Sequence, residues 1–468
     1  MSDLCFTSAT ELARLIQSRR LSARELMQAH LERIRRVNPA LNAIVAKLDD
    51  EQCLALAAAA DERAANAAPL PPLHGLPIAF KDLQAAKGFP FTRGSLIYQH
   101  EMPREDSVLV ERLRQAGVIP IGKTNVPELG LGSHTYNRVY GTTRNPYDHS
   151  RSAGGSSGGA GAALASGMLP IADGTDLGGS LRNPANFNNV VGMRPTVGLV
   201  PVEPDPIALL NLSVNGPMAR TVADVALLLS VMAGAHARDP TCVRSDPSSF
   251  RRPLERDLRG VRVAWCLNLG GLPLDRDVRS VLEKQRATLD ALGCVVEDTT
   301  PDLYDADSIF LTLRAFRSAA VHGPLLDRFR EWMKPEAIAE IESGRALKSD
   351  DVARAMAQHA QLLQRVDRFQ ERYEYLFCAV NQVPPFDATW DWPRTVDGVA
   401  MDHYVAWMKS AYWISATCRP AISVPAGFTP GGLPVGIQIV GRHRDDFALL
   451  QMAHAFEQAT GFGQRRPI

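Results

Sequence analysis

The chain has no net charge to steer it: across 468 residues, 51 Lys and Arg face 51 Asp and Glu. That balance gives no global pull toward nucleic acid or an anionic membrane. Its seven cysteines, from Cys5 to Cys418, are scattered, odd in number and without a CxxC pair. This argues against a disulfide framework and a structural zinc site, and makes a reducing cytoplasm the expected compartment. Met1-Ser2-Asp3-Leu4-Cys5 lacks a basic segment leading into an apolar stretch, so no signal peptide is expected. One uncharged run, residues 153–172, has the length of a bilayer crossing, but nine of its 20 residues are Gly or Ser. It reads as a glycine loop followed by a buried helix. Internal repeats and long low-complexity linkers are missing too, which favours one large domain over several small ones.

What is present alternates short apolar runs with helical patterns. Ser8 with Glu11, and Ser22 with Glu25, have capping-box spacing and open two helices. An Ala-rich stretch, residues 53–67, predicts a third. Residues 76–80 form an apolar run of strand length ending at Lys81-Asp82. A helix capped at Asp106 or Ser107 leads to a strand at 118–121. The alternation returns with helices at 222–233 and 278–292 and strands at 261–265 and 295–296. Residues 421–424 and 435–440 flank Thr429-Pro430-Gly431-Gly432 as a hairpin, and a last helix covers 446–459. The expectation is an α/β fold: one large domain with a central mixed, mostly parallel twisted sheet covered by helices on both faces. Residues 1–70 form an N-terminal helical segment packing on a core of 71–468, in which 302–420 is a helical, aromatic-rich layer.

The densest signal is the block Ser152-Ala153-Gly154-Gly155-Ser156-Ser157-Gly158-Gly159, followed by Gly174-Thr175-Asp176-Leu177-Gly178-Gly179-Ser180-Leu181-Arg182. Glycine turns alone are one reading. A phosphate cradle is another, but the Gly-Lys-Ser/Thr ending of a P-loop is absent. A nucleophile elbow at Ser156 needs a buried strand before it, and residues 148–153 are polar. No histidine among His322, His359, His403, His443 and His454 sits in a convincing loop after a strand. Ser180 fits better: an apolar run at 168–172 leads into glycines that let successive amides point into one space. That is what an oxyanion hole needs. Ser180 is then the nucleophile, with the amides of Leu177, Gly178, Gly179 and Ser180 as donors. The base is Lys81, which must be buried enough to be neutral, and Ser156 can relay the proton between them.

At these residues the chain resembles the amidase signature family. The likeness runs from His74-Gly75-Leu76-Pro77-Ile78-Ala79-Phe80-Lys81-Asp82 through Gly122-Lys123-Thr124-Asn125 and Arg144-Asn145-Pro146-Tyr147. It continues over residues 152–198 and resumes at Gly216-Pro217-Met218-Ala219-Arg220-Thr221 and Gly432-Leu433-Pro434-Val435-Gly436. The resemblance implies a Ser–Ser–Lys triad of Lys81, Ser156 and Ser180, a cis peptide before Ser156, and an oxyanion hole at Leu177 to Gly179. Thr175, Asp176 and Arg182 match the surrounding polar network, and Ser157 is taken as structural. No metal or organic cofactor is implied. Leu177 and Asn183 depart from the commonest residues at their positions.

Five of the six tryptophans lie between Trp332 and Trp413. Tyr404, Trp407, Met408 and Tyr412 read as the stripe of a packed helix or as an aromatic wall over the site. Gly132, Ser133, Phe386, Trp390 and Trp392 are the candidate pocket residues, and residues 384–398 look like a loop able to close over them. The expected activity is amide hydrolysis on small or medium apolar or aryl amides, with esters and carbamates as side substrates. The expected partner is a small-molecule amide, without nucleic acid or membrane, for a monomer or homodimer. Two alternatives stand beside it: the glutaminase component of a tRNA-dependent amidotransferase, and a non-catalytic binding protein on a hydrolase fold.

Overall fold

Ser22 forms a full capping box with Glu25, whereas Ser8 caps from one side only because the Glu11 carboxylate turns to Arg14. These serines open α1 (Ala9–Gln17) and α2 (Ala23–Leu41) in a computed structural model that describes residues 4–66, 69–203, 206–207 and 212–467. The third expected helix is α3 (Asp50–Asn66), and Ala67 lies outside the described residues. A short strand, β1 (Ile44–Val45), precedes β2 (Pro77–Lys81), and α4 (Val108–Gln115), capped by Ser107, leads to β3 (Ile119–Thr124). The three strands make a small sheet with β3 central, antiparallel to β1 and parallel to β2.

The glycine block opens α5 (Gly158–Ala165), every residue of which is buried. Its small side chains are a packing requirement: a Cβ on Gly159 would collide with the Asn125 backbone. This is the buried helix the sequence suggested, and among the described residues no helix is long and apolar enough to cross a membrane. Next come β4 (Ile171–Asp176), α6 (Arg182–Phe187), β5 (Val191–Arg194), β6 (Val214–Ala219), α7 (Val222–Met232) and β7 (Arg262–Trp265). The helix expected over 278–292 is broken into α8 (Arg276–Glu283) and α9 (Arg286–Ala291). After β8 (Val295–Asp298), α10 (Ala306–Phe329), α11 (Pro335–Ala346) and α12 (Ser349–Arg372) form the outer layer. The chain returns through β9 (Tyr375–Ala379), a ribbon of β10 (Thr395–Val396) and β11 (Val399–Ala400), α13 (Lys409–Ala416), the hairpin β12 (Ala421–Phe428) and β13 (Pro434–Val440), and α14 (Asp446–Thr460).

The main sheet has eight strands in the order β4-β6-β5-β12-β13-β9-β7-β8. It is mixed, as expected, but not mostly parallel. Five of its seven junctions are antiparallel, and only β9 with β7, and β7 with β8, run parallel. Helical crossovers enforce parallel pairing where they carry the chain between neighbours, as α8 and α9 do from β7 to β8. Elsewhere hairpins and loops connect the strands, and these reverse direction. One apolar cluster, with Ile422, Ile437 and Leu449, packs under α7 and α14; another, with Phe310, Trp407 and Tyr412, fills the side beneath α10.

Candidate active site

β2 is buried along its whole length and ends on Lys81, paired in register with Thr124 of β3. The strand delivers the lysine inward rather than to solvent, and its side chain has no exposure. Lys81 Nζ lies 2.8 Å from Ser156 Oγ, 2.7 Å from Ser157 Oγ and 2.8 Å from Thr175 Oγ1. Burial disfavours the charged amine and pulls it down to about 7, against the raising influence of the Asp173 and Asp176 carboxylates. Near neutrality the amine is therefore available as a base. Ser157, read from the sequence as structural, touches the lysine directly, as does Thr175.

Ser156 follows a cis peptide bond from Gly155. The Ser133 hydroxyl donates to the Gly155 carbonyl and itself accepts from Asn183 Nδ2 at 2.9 Å. Just before it, the Gly154 amide donates to Ser152 Oγ at 3.0 Å, and His134 Nδ1 lies 2.7 Å from that hydroxyl. His134 Nε2 faces the Ala388 carbonyl at 3.2 Å. A carbonyl only accepts, so Nε2 carries the proton and Nδ1 receives the Ser152 hydrogen. Burial holds this imidazole down at about 4, hence neutral. Two short hydrogen-bond chains thus fix the backbone around Ser156.

Ser180 stands on the turn after β4. Its carbonyl accepts from the Ser157 amide at 3.2 Å, which ties the two serine segments together. Exposure rises along the series from Lys81 at 0% through Ser156 at 2% to Ser180 at 9%, leaving Ser180 the most accessible of the three. The turn is organised by Asp176, gripped by Arg182 through Nε at 3.0 Å and Nη2 at 2.9 Å. Arg194 Nη1 adds a bond to the Asp176 carbonyl at 2.5 Å. Burial works to raise this carboxyl, but the two guanidinium groups and the Gly179 amide hold it far below the usual carboxylate range. Gly179 has φ +117°, and a Cβ there would come within 2.6 Å of Ala411 Cβ. Its amide donates to Asp176 Oδ1 at 2.8 Å and is therefore occupied. The amides of Leu177, Gly178 and Ser180 have no acceptor among the described residues.

The five candidate pocket residues divide. Ser133 lies against Gly155, and Gly132 faces the Tyr404 ring and the Lys334 amine. Phe386 is buried between His134, Phe187 and Trp407. Trp390, by contrast, is 51% exposed, and Trp392 is stacked by Arg394 at 3.8 Å. The wall behind the Ser180 turn comes instead from buried Phe310 and Tyr412, whose rings stack at 4.5 Å and press on Gly178. Trp407 and Met408 are buried too, but in a turn ahead of α13 rather than on its stripe. The first part of the 384–398 loop, residues 386–388, is tied to residues 150–152. Ser152 N donates to Phe386 O at 2.8 Å, Ala388 N donates to Ser150 O at 2.8 Å, and Arg151 bridges Asp387. Volume does not mark the site: two surface depressions of about 490 and 570 Å³ include none of Lys81, Ser156 and Ser180. Among the described residues no group of three or more His, Cys, Asp or Glu side chains could hold a metal ion.

Residues 25–450 match the amidase family profile. The chain belongs to the amidase signature family. It is 35% identical to the acylamidase of Rhodococcus erythropolis over 467 residues, covering 99% of this chain and 98% of that protein. It is 36% identical to the GatA-type component of the glutamyl-tRNA(Gln) amidotransferase of Cupriavidus metallidurans over 499 residues, covering 98% of each. Among solved structures, a bacterial aryl acylamidase of the amidase signature family superposes with a TM-score of 0.90 at 27% identity, covering 99% of both chains. Membership makes this amidase signature protein a hydrolase acting on amides. Asp173 and the His134–Ser152 pair escaped the sequence reading. A charged residue inside the apolar run before Gly174 was the available signal for the first, because a buried charge needs a partner.

Proposed function

We propose that this protein hydrolyses small or medium apolar and aryl carboxylic amides through an acyl-enzyme, with Ser180 as nucleophile, Ser156 as relay and Lys81 as base. The single observation that carries the reading is the wholly buried Lys81 amine, 2.8 Å from Ser156 Oγ and pulled down by burial to about 7, so that a large share of it is uncharged near neutrality. Lys81 takes the Ser156 proton as Ser156 takes that of Ser180, and the Ser180 oxygen attacks the carbonyl. The Leu177, Gly178 and Ser180 amides receive the oxyanion, each donor contributing about 3–4 kcal/mol in the transition state. The amine departs with a proton returned through Ser156, and water repeats the relay to free the acid. Esters and carbamates fit the same chemistry as lesser substrates.

The acylamidase relative and the aryl acylamidase structure support acyl amides, aryl ones among them. A second reading, the glutaminase component of an amidotransferase, is favoured by an amidotransferase relative at 36% identity against 35% for the acylamidase. Hydrolysis of aryl, aliphatic and peptide amides, carbamates and glutamine should be compared for wild type and Ser180→Ala. Apolar amides turned over by the wild type alone, with a serine-directed phosphonate on Ser180, are the expected result. Ammonia from glutamine as the main product would transfer the protein to the second reading. Full activity in the alanine variant would remove Ser180 from the chemistry.

A further inference from the structure

Behind Lys81 runs a file of charged side chains that the proposed relay does not use. Asp173 of β4, Lys123 of β3 and Asp82 after β2 are all without solvent exposure. Asp173 Oδ1 accepts the Lys81 amide at 3.0 Å, and its Oδ2 is buried with no hydrogen-bond partner among the described residues. Lys123 Nζ donates to the Gln84 carbonyl at 2.5 Å and lies 3.5 Å from Asp82 Oδ1, while Asp82 also receives the Thr92 hydroxyl. Across β6, the register partner of Asp173 is the uncharged Pro217. The other carboxylate facing Lys81, Asp176, is already saturated by Arg182, Arg194 and the Gly179 amide.

Signs therefore alternate from Lys81 through Asp173 and Lys123 to Asp82. With Lys81 neutral, the file carries one uncompensated negative charge in a dry interior. A proton on Lys81 cancels it. Unpaired buried charge is strongly disfavoured, so the file draws the proton toward Lys81 as burial repels it.

We propose that Asp173 is the counter-ion of Lys81, a positioning residue that stabilises the ammonium formed when Ser180 loses its proton through Ser156. Its carboxylate grips the Lys81 main chain rather than Nζ, so it acts on the ammonium through the field of a dry interior and not by a direct hydrogen bond. The O–H bond of Ser180 breaks, its electron pair forms the bond to the carbonyl carbon, and the relayed proton ends on Lys81 Nζ. The inference rests on Lys81 being the base. Burial lifts the Asp173 carboxyl to about 6, which leaves it ionised where the enzyme would work.

The test is the pH dependence of kcat/KM in two variants. Removing the negative charge in Asp173→Asn weakens the base, so the acid limb moves down by about one pH unit and the plateau kcat falls about tenfold. Removing the positive charge in Lys123→Met moves the limb the other way, upward. A residue acting only as packing would lower the rate in both variants and leave the limb in place, and that result overturns the proposal. Should Asp173→Asn fail to fold on thermal melting, Lys123→Met decides alone, since an unmoved or lowered limb contradicts the mechanism. Phosphonate labelling of Ser180 separates this from the wider reading: labelled enzyme with an unmoved limb rejects the role of Asp173 only.

Discussion

The Gly179 amide donates to the Asp176 carboxylate, 2.8 Å from Oδ1. The oxyanion hole proposed here is therefore built by the three neighbouring amides, and Asp176 sets their direction. Asp176→Asn should leave Arg182 and Arg194 as uncompensated buried cations, costing about 3–5 kcal/mol of stability in chemical denaturation. Because the folded carboxyl lies far below its unfolded value, its contribution is complete above the unfolded carboxylate range, near pH 4. It is lost as pH falls through the folded value, so the gap between wild type and variant should close in strong acid.

Lys81 shifts stability in the same direction with pH, but in a higher window. Its folded value, about 7, is below the ordinary lysine value, so the unfolded chain binds the extra proton between the two. Wild type should gain stability relative to Lys81→Met as pH rises through that window. Activity should fall away below about pH 7 in wild type, and Lys81→Met should lose at least about a hundredfold in kcat. A rate unchanged toward low pH would exclude a neutral lysine base.

Ser133 holds the Gly155 carbonyl beside Ser156 and accepts from Asn183. Ser133→Ala releases the Gly155 carbonyl and the Asn183 amide together. Steady-state kinetics should show kcat reduced about tenfold with KM little changed, the pattern of an interaction that matters in the transition state.

Trp390 and Trp407 separate an outward aromatic from a core one. Trp407→Ala should destabilise the fold by about 3–5 kcal/mol, because Trp407 is fully buried against Phe187 and Phe386. Trp390→Ala should change thermal stability little and leave KM for aryl amides within about twofold, as surface substitutions generally do. A large rise in KM would return Trp390 to the substrate pocket.

Local chemistry was readable. The caps at Ser8, Ser22 and Ser107, the inward Lys81 at the end of an apolar run, and the α5 glycines all follow from neighbours in sequence. Strand direction was not, because it depends on whether a helix or a hairpin joins strands that meet only in the folded sheet. The occupied Gly179 amide was hidden as well: nothing in Gly178-Gly179-Ser180 reveals that a carboxylate three residues earlier turns back to claim it. The outward Trp390 was not legible, since an aromatic-rich stretch looks alike whether its rings face a cleft, a core or water. Asp173 was legible in principle, as a charge following directly on an apolar run.

The bridge between residues 150–152 and 386–388 has a practical consequence. The strip that carries Phe386 is laced to the very backbone that leads into Gly154 and Ser156, so altering the length of either would drag on Ser156. Broadening what this enzyme accepts is thus a task for side-chain exchange at constant chain length, and insertions there should silence it before they retune it.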